Sequence, residues 1–299
     1  MTCSAPLRRC DDGTPIPHTV CDLHTHSNYS DGSLSPGALV RLAEARGIAA
    51  LALTDHNTAR GLPEFTQAGK NSSVRVVPGC EFSTDGPFGE LHIVGLFLPA
   101  ASWEQIAQTC AESQRKKAEA NRLMIERLRG AGYPITEAEA EAQTNGETFN
   151  RAHVARMLVS KGCFKTVADV FKGPLSKSAG FYEPLPRPDA YQVIRFIRSI
   201  GGVSVLAHPF SDMNAEQAAV FLPTAKTNGL DAMETRYSGF DEQTSRLASA
   251  LAERFGLLQS GGSDYHGEAK PDVALGTGSG DLRVPFSFYE TLADLASSR

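Results

Sequence analysis

His24 and His26 stand two apart at the end of the β-rich run TVCDLHT (19–25), a spacing that on an extended chain turns both side chains to one face. Asp31 follows in an SDG turn. Asp55 and His56 close a second run, IAALALT (48–54), and Glu81 closes a third, VRVVPGC (74–80). His92 lies in ELHIVGLFL (90–98) and His208 ends GVSVLAH (202–208). Glu234 lies late in LDAMETRY (230–237), and Asp264 and His266 follow FGLLQSG (255–261). Six of the chain's eight histidines thus fall at or near strand ends. Gathering such imidazoles and carboxylates is costly unless a metal or other partners satisfy them. Imidazole plus carboxylate, with no thiolate in motif position, suits manganese, zinc or iron and argues against thiolate-rich structural zinc and all-oxygen calcium sites. One tetrahedral ion cannot use more than four donors, so two or three ions are expected, with a carboxylate shared.

The elements that must position these groups can be read from periodicity. Seven short apolar runs alternate with helix-like stretches. In SPGALVRLAEARG (35–47), Ser35 is a candidate N-cap, Pro36 takes the first helical position and Gly47 follows the end. Further helices fit 188–200, 214–227 and 241–254. Alternation of this kind predicts a parallel sheet with helices outside, either open and doubly wound or closed into a barrel. In barrels, active sites gather at the carboxyl ends of the strands. From Leu98 to Gly202 there are about a hundred residues, where one crossover helix needs roughly 25 to 30. That stretch reads as helical, one segment ending at Gly130 and Gly132 and another running from Asn150, a candidate N-cap, to Gly162. The expected organisation is a barrel from 18–100 and 188–299, a helical cap at 101–187, and a disordered tail at 1–17.

The 299 residues are 41% hydrophobic and 21% charged, the balance of a globular protein. No run reaches the ~18 apolar residues of a membrane span, and the N-terminal MTCSAPLRRCDDGTPIPH lacks a signal-peptide core, so a cytoplasmic location is expected. A formal charge of −5 argues against coating long nucleic acid or anionic membrane. The charge is uneven: residues 101–187 hold 13 Lys+Arg against 10 Asp+Glu, a basic segment in an acidic body. The six cysteines form no CxxC pair, which argues against zinc-ribbon, thioredoxin and disulfide-framework readings.

Taken in order, HTHSNYSDG (24–32), LTDHN (53–57), PGCEFS (78–83), LHIVG (91–95), LAHP (206–209) and GSDYH (262–266) resemble the successive motifs of the PHP (polymerase and histidinol phosphatase) family. The HxH pair alone is shared with other amidohydrolases; the ordered set spans almost all of the chain outside the cap. The resemblance implies a distorted seven-stranded (β/α) barrel with two or three ions, commonly manganese, hydrolysing phosphoesters. It gives His24, His26, Glu81 and Asp264 to a first ion, and Glu81 as a bridge to a second completed by His92 and His208. Asp31, His56 and His266 would hold a third. Asp55 would orient His56 or a neighbour, and Glu234 would support the site or simply end a strand. On this reading a hydroxide held between two ions attacks phosphorus, Asp264 handles its proton, and His266 or His56 protonates the leaving oxygen.

Within the family, EANRLMIERLRGAGYPIT (119–136) and NRAHVARMLVSKG (150–162) are similar to a stand-alone capped branch. That similarity implies release of phosphate from nucleoside 3′,5′-bisphosphates, such as 3′-phosphoadenosine 5′-phosphate giving AMP, or 5′→3′ exonuclease action on short RNA. A net-positive cap suits a substrate with a second phosphate: Arg151 and His153 open a helix, where backbone N–H groups favour an anion, and Arg122 and Lys177 are further candidates. Phe181, Tyr182 or Tyr237 could stack a base. The expected partner is a small phosphorylated nucleotide or short RNA, with no membrane and no long nucleic acid. Histidinol phosphate, the nearest rival substrate, carries an amine of the wrong charge for this cap. A regulatory module with a relic site would be expected to have lost a ligand such as His26, Glu81 or Asp264.

Overall fold

The computed structural model describes residues 19–143, 149–176, 178–183 and 187–299; the expected tail at 1–17 and Lys177 lie outside the described residues. Eight strands are found among them: β1 (Cys21–Asp22), β2 (Ala50–Leu53), β3 (Arg75–Pro78), β4 (Cys80–Gly86), β5 (Gly89–Leu96), β6 (Val203–Leu206), β7 (Ala232–Tyr237) and β8 (Leu258–Gly262). They form two sheets, β1-β2-β3 and β4-β5-β6-β7-β8. The expected seven-stranded barrel of parallel strands is therefore corrected to eight strands in two sheets, the first parallel and the second of mixed direction. The added strand is β4. Its polar CEFSTDG reads as the end of a run, yet it pairs antiparallel with β5 through a tight turn at Gly86 to Gly89. β5 is also antiparallel to β6, because the long insertion stands where a crossover helix would have kept the direction. Isolated bonds join the sheets at both seams: Leu23 N–H to Gly261 O and Asp264 N–H to His24 O on one side, Glu81 N–H to Thr54 O and Leu98 N–H to Pro78 O on the other.

Strand alternation divides the core. Ala50 and Ala52 of β2 join Leu23, Val77, Val94, Val203, Val205 and Ala232 in an inner cluster. Leu51 and Leu53 turn the other way, toward the helices, with Phe82, Ile93, Leu206 and Met233. Burial on both faces explains why β2 reads as a continuous apolar run. The helices α1 (Pro36–Ala45) and α2 (Leu62–Gly69) flank the first sheet. Ser35 caps α1 by accepting from Ala38 N–H, with Pro36 in its first turn.

The insertion begins with α3 (Trp103–Gly130), which starts well before the predicted segment and ends at the predicted glycine. Ile106 and Cys110, near its start, pack on the outer core, while Met124, Ile125 and Leu128 enter a separate apolar cluster. That cluster is completed by α4 (Glu137–Glu141), α5 (Arg151–Ser160) and α6 (Val167–Lys172). A 28-residue helix spans about 42 Å, long enough to belong to both cores. The chain returns through α7 (Ala190–Ser199), α8 (Pro209–Asp212), α9 (Ala215–Thr227), α10 (Glu242–Arg254) and α11 (Phe286–Ser297). Phe286, Phe288 and Leu292 of α11 close the inner cluster. Among the described residues, no helix is long and apolar enough to cross a membrane.

Candidate metal centre and substrate cleft

At the strand ends, nine side chains named from sequence converge: His24, His26, Asp31, His56, Glu81, His92, His208, Asp264 and His266 fall into overlapping groups whose donor atoms lie within 4.8 Å of one another. His24 Nε2 and His26 Nε2 are 3.1 Å apart. Each is 3.2 Å from Glu81 Oε2, and they lie 3.6 and 3.1 Å from Asp264 Oδ1. Donors held about 2.0–2.2 Å from one ion stand roughly 3 to 3.5 Å from each other, so these edges are those of a coordination shell. His56 Nδ1 also lies 3.2 Å from Glu81 Oε2, yet neither atom has a hydrogen-bond partner although both are buried. Lone pairs that crowd together without pairing are what a bound cation would satisfy. The donor set therefore fits divalent metal. Glu81 Oε1 faces a second group, His92 Nδ1 at 2.7 Å and His208 Nε2 at 3.1 Å, so this one carboxylate looks both ways.

Neighbouring groups fix the cluster. Glu234 Oε1 pairs with His24 Nδ1 at 2.9 Å and its Oε2 accepts from the His208 backbone N–H at 2.6 Å, so it aims the His24 imidazole and holds the backbone of His208. Asp55 accepts from Ser27 N–H, Ser27 Oγ and Ser30 Oγ, so it holds the turn between His26 and Asp31 rather than His56. Asp264 Oδ2 takes hydrogen bonds from Lys270 Nζ at 2.6 Å and Tyr237 Oη at 3.0 Å. His266 turns Nδ1 to Asp264 O and Nε2 to Asp31 Oδ1, 3.2 Å away. His208 and Asp264 both have positive φ, 26° and 55°, a conformation non-glycine residues rarely hold away from functional sites. At Gly262 an added Cβ would land on the His24 backbone, so β8 approaches β1 only because this residue is glycine.

A cleft of about 280 Å³ opens beside the cluster and is lined in part by Asp31, His56 and His92. Cap residues Lys117, Asn150, Arg151, Phe171 and Tyr182 and the returning Arg187 also line it. The Arg151 guanidinium lies over the Tyr182 ring, 4.2 Å from its centroid. Arg187 is bound to Asp85 and Glu90, whereas Lys117 and Arg151 have no carboxylate partner among the described residues. Two of the predicted substrate contacts lie elsewhere. Arg122 pairs with Glu126 on the exposed side of α3. His153 is buried in a capping box, where its Nδ1 accepts from Asn150 N–H, and burial with the nearby Arg156 pulls it down to about 4.

The PHP domain family matches residues 22–170. The chain is 34% identical to the 5′-3′ exoribonuclease Rnm of Salmonella typhimurium, over 86% of its own length and 88% of the relative's. The chain belongs to the PHP domain family. It is also 32% identical to the 3′,5′-nucleoside bisphosphate phosphatase of Chromobacterium violaceum, over 84% of this chain and 90% of that one. An amidohydrolase from Chromobacterium violaceum, solved with bound sulfate and no metal, superposes with a TM-score of 0.80 at 28% identity, covering 92% and 96% of the two chains.

Charge balance in this PHP centre follows from burial and proximity. Burial alone would depress every imidazole, but Asp264 and Glu81 lift His26 to about 9, Glu81 and Glu90 lift His92 to about 10, and Asp212 and Glu81 lift His208 to about 9. His56 is the exception: burial, with His26 and His92 nearby, pulls it down to about 3 despite Glu81 and Asp31. Burial would raise Asp31, Glu81 and Asp264, yet the imidazoles around them hold all three well below the usual carboxylate range. In the cleft, burial lowers Lys117 despite Asp31, and the Arg187 and Arg151 guanidinium groups lower it further. Lys117 and Arg187 were missed in the sequence because a cation on a helix or in a loop carries no motif; the net charge of 101–187 was the only available sign.

Proposed function

We propose that this metal-dependent phosphoesterase of the PHP family releases phosphate from nucleoside 3′,5′-bisphosphates, with nine donors, His24, His26, Asp31, His56, Glu81, His92, His208, Asp264 and His266, holding two or three divalent ions such as manganese. Such ions would acidify water and neutralise phosphoryl oxygens. The observation that carries the substrate reading is the mixed lining of the cleft: Asp31, His56 and His92 of the cluster share it with Lys117 and Arg151, which have no carboxylate partner among the described residues. Lys117 and Arg151 would bind the phosphate that is not cleaved, and the faces of Phe171 and Tyr182 would shield the nucleoside from water. Asp264 would receive the proton of the attacking water at Oδ1, since Lys270 and Tyr237 occupy Oδ2. His266 has both ring nitrogens engaged and burial keeps His56 unprotonated, so the leaving oxygen would take its proton from solvent entering the cleft. A second reading, exonuclease action on short 5′-phosphorylated RNA, is favoured by the 34% identity to Rnm.

Phosphate release by manganese-loaded protein tests this. 3′-Phosphoadenosine 5′-phosphate should turn over far faster than AMP or 3′-AMP, and Lys117→Ala or Arg151→Ala should remove the preference at about 10-fold each while leaving slow monoester cleavage. Faster turnover of a 5′-phosphorylated RNA trinucleotide would favour the second reading. Equal turnover of histidinol phosphate would overturn both.

A further inference from the structure

The two aspartates of the centre are each gripped at Oδ2, which in Asp31 also faces His56 Nε2 at 3.9 Å, but by different parts of the molecule. Asp264 is held by Lys270 and Tyr237, both on the sheet-bearing body. Asp31 points Oδ1 at His266 Nε2, 3.2 Å away, and at His26 Nδ1, 3.8 Å away. Its Oδ2 accepts a hydrogen bond from Asn150 Nδ2 at 3.1 Å, and Asn150 belongs to the cap. The same side chain starts α5, its Oδ1 accepting from Ala152 N–H at 2.9 Å and His153 N–H at 3.1 Å. One amide thus divides its two ends: oxygen to the cap helix, nitrogen to a carboxylate of the centre.

We propose that Asn150 is a positioning residue for Asp31, and that docking of the cap is thereby coupled to occupancy of the Asp31, His56 and His266 donors by a divalent cation. This rests on the reading that those donors hold an ion. With α5 in place, the Asn150 amide fixes the carboxylate rotamer and leaves Oδ1 free for the ion. With the cap displaced, Asp31 is free to rotate. Coupling of this kind is reciprocal, so an ion bound there must hold α5 down by the same factor that α5 strengthens the ion.

Asn150→Ser separates the two jobs. A serine hydroxyl accepts from the first-turn N–H groups as an N-cap but offers no second group to Asp31. The readouts are Mn²⁺ binding by equilibrium dialysis of the whole chain and amide hydrogen exchange across α5 with and without Mn²⁺. In the parent protein Mn²⁺ should slow exchange in the first turn of α5. In Asn150→Ser, with metal-free helix content unchanged, the weakest-bound ion should lose about 10-fold or more in affinity and the protection of α5 by Mn²⁺ should vanish. Asp31→Asn serves as the second variant: it keeps an oxygen for Asn150 but loses the ligand charge, and should also abolish protection by Mn²⁺. Binding and exchange in Asn150→Ser identical to the parent, or Mn²⁺-dependent protection surviving in Asp31→Asn, would overturn the coupling alone. A parent protein that takes up no Mn²⁺ would overturn the metal reading with it.

Discussion

Glu81 faces five imidazole nitrogens and a carboxylate so placed cannot be neutralised by hydrogen bonds alone, which makes the centre a competition between protons and metal. With His26 and His208 near 9 and His92 near 10, the metal-free centre is protonated at neutral pH. Metal must displace those protons. Uptake of Mn²⁺ at pH 7.5 should therefore release protons, and apparent affinity should rise with pH until about 9 to 10; titration calorimetry in buffers of different ionisation enthalpy measures both. Glu234→Ala, which removes the partner of His24 Nδ1, should weaken Mn²⁺ by about 10- to 100-fold in equilibrium dialysis. The donors of the cluster were legible in sequence because most sit at or near a recognisable run end. Glu234, left open as support or strand end, shows its role only when β7 pairs with β6 and comes within reach of His24. The setting of His153 was not legible, because a polar residue three positions after Asn150 has the same sequence appearance whether it faces an anion or closes a capping box.

The strands bring the donors together through register. Glu81 lies opposite Val94, and Ser83 opposite His92, so Glu81 and His92 are diagonal neighbours on one face of the β4–β5 pair. Every one of the seven runs contains a strand, since apolar β-rich segments are visible locally. Strand direction is not local, and β4 escaped notice because its second half is polar and only the pairing with β5 makes it a strand. The seam between β8 and β1 is set by the close approach at Gly262. Gly262→Ala should push β1 away, costing more than about 2 kcal/mol in denaturant unfolding and lowering bound Mn²⁺ in the same preparation.

At the scale of the whole molecule, two bodies of packing meet over the centre, the sheets with their flanking helices and the cap with its own apolar cluster. The excess of basic residues in 101–187 was legible as composition, but which of them face the cleft depends on how α3 is rotated, and that is decided by Met124, Ile125 and Leu128 packing inward. Metal bound only to the folded chain must stabilise it. At a free concentration 100 times its dissociation constant the gain is about 2.7 kcal/mol per ion. A chain of this size should melt roughly 2–4 °C higher for each kcal/mol, so calorimetric scans with Mn²⁺ and with chelator should separate by several degrees. The bond from Ser263 N–H to Asp22, which locks the last strand end against the first, joins residues 241 positions apart. At roughly 5–20 residues per second, synthesis takes some ten to fifty seconds to pass from one to the other. Throughout that interval the emerging HTH segment lacks Asp264 and His266. A full set of nine donors therefore cannot assemble before β8 has been made.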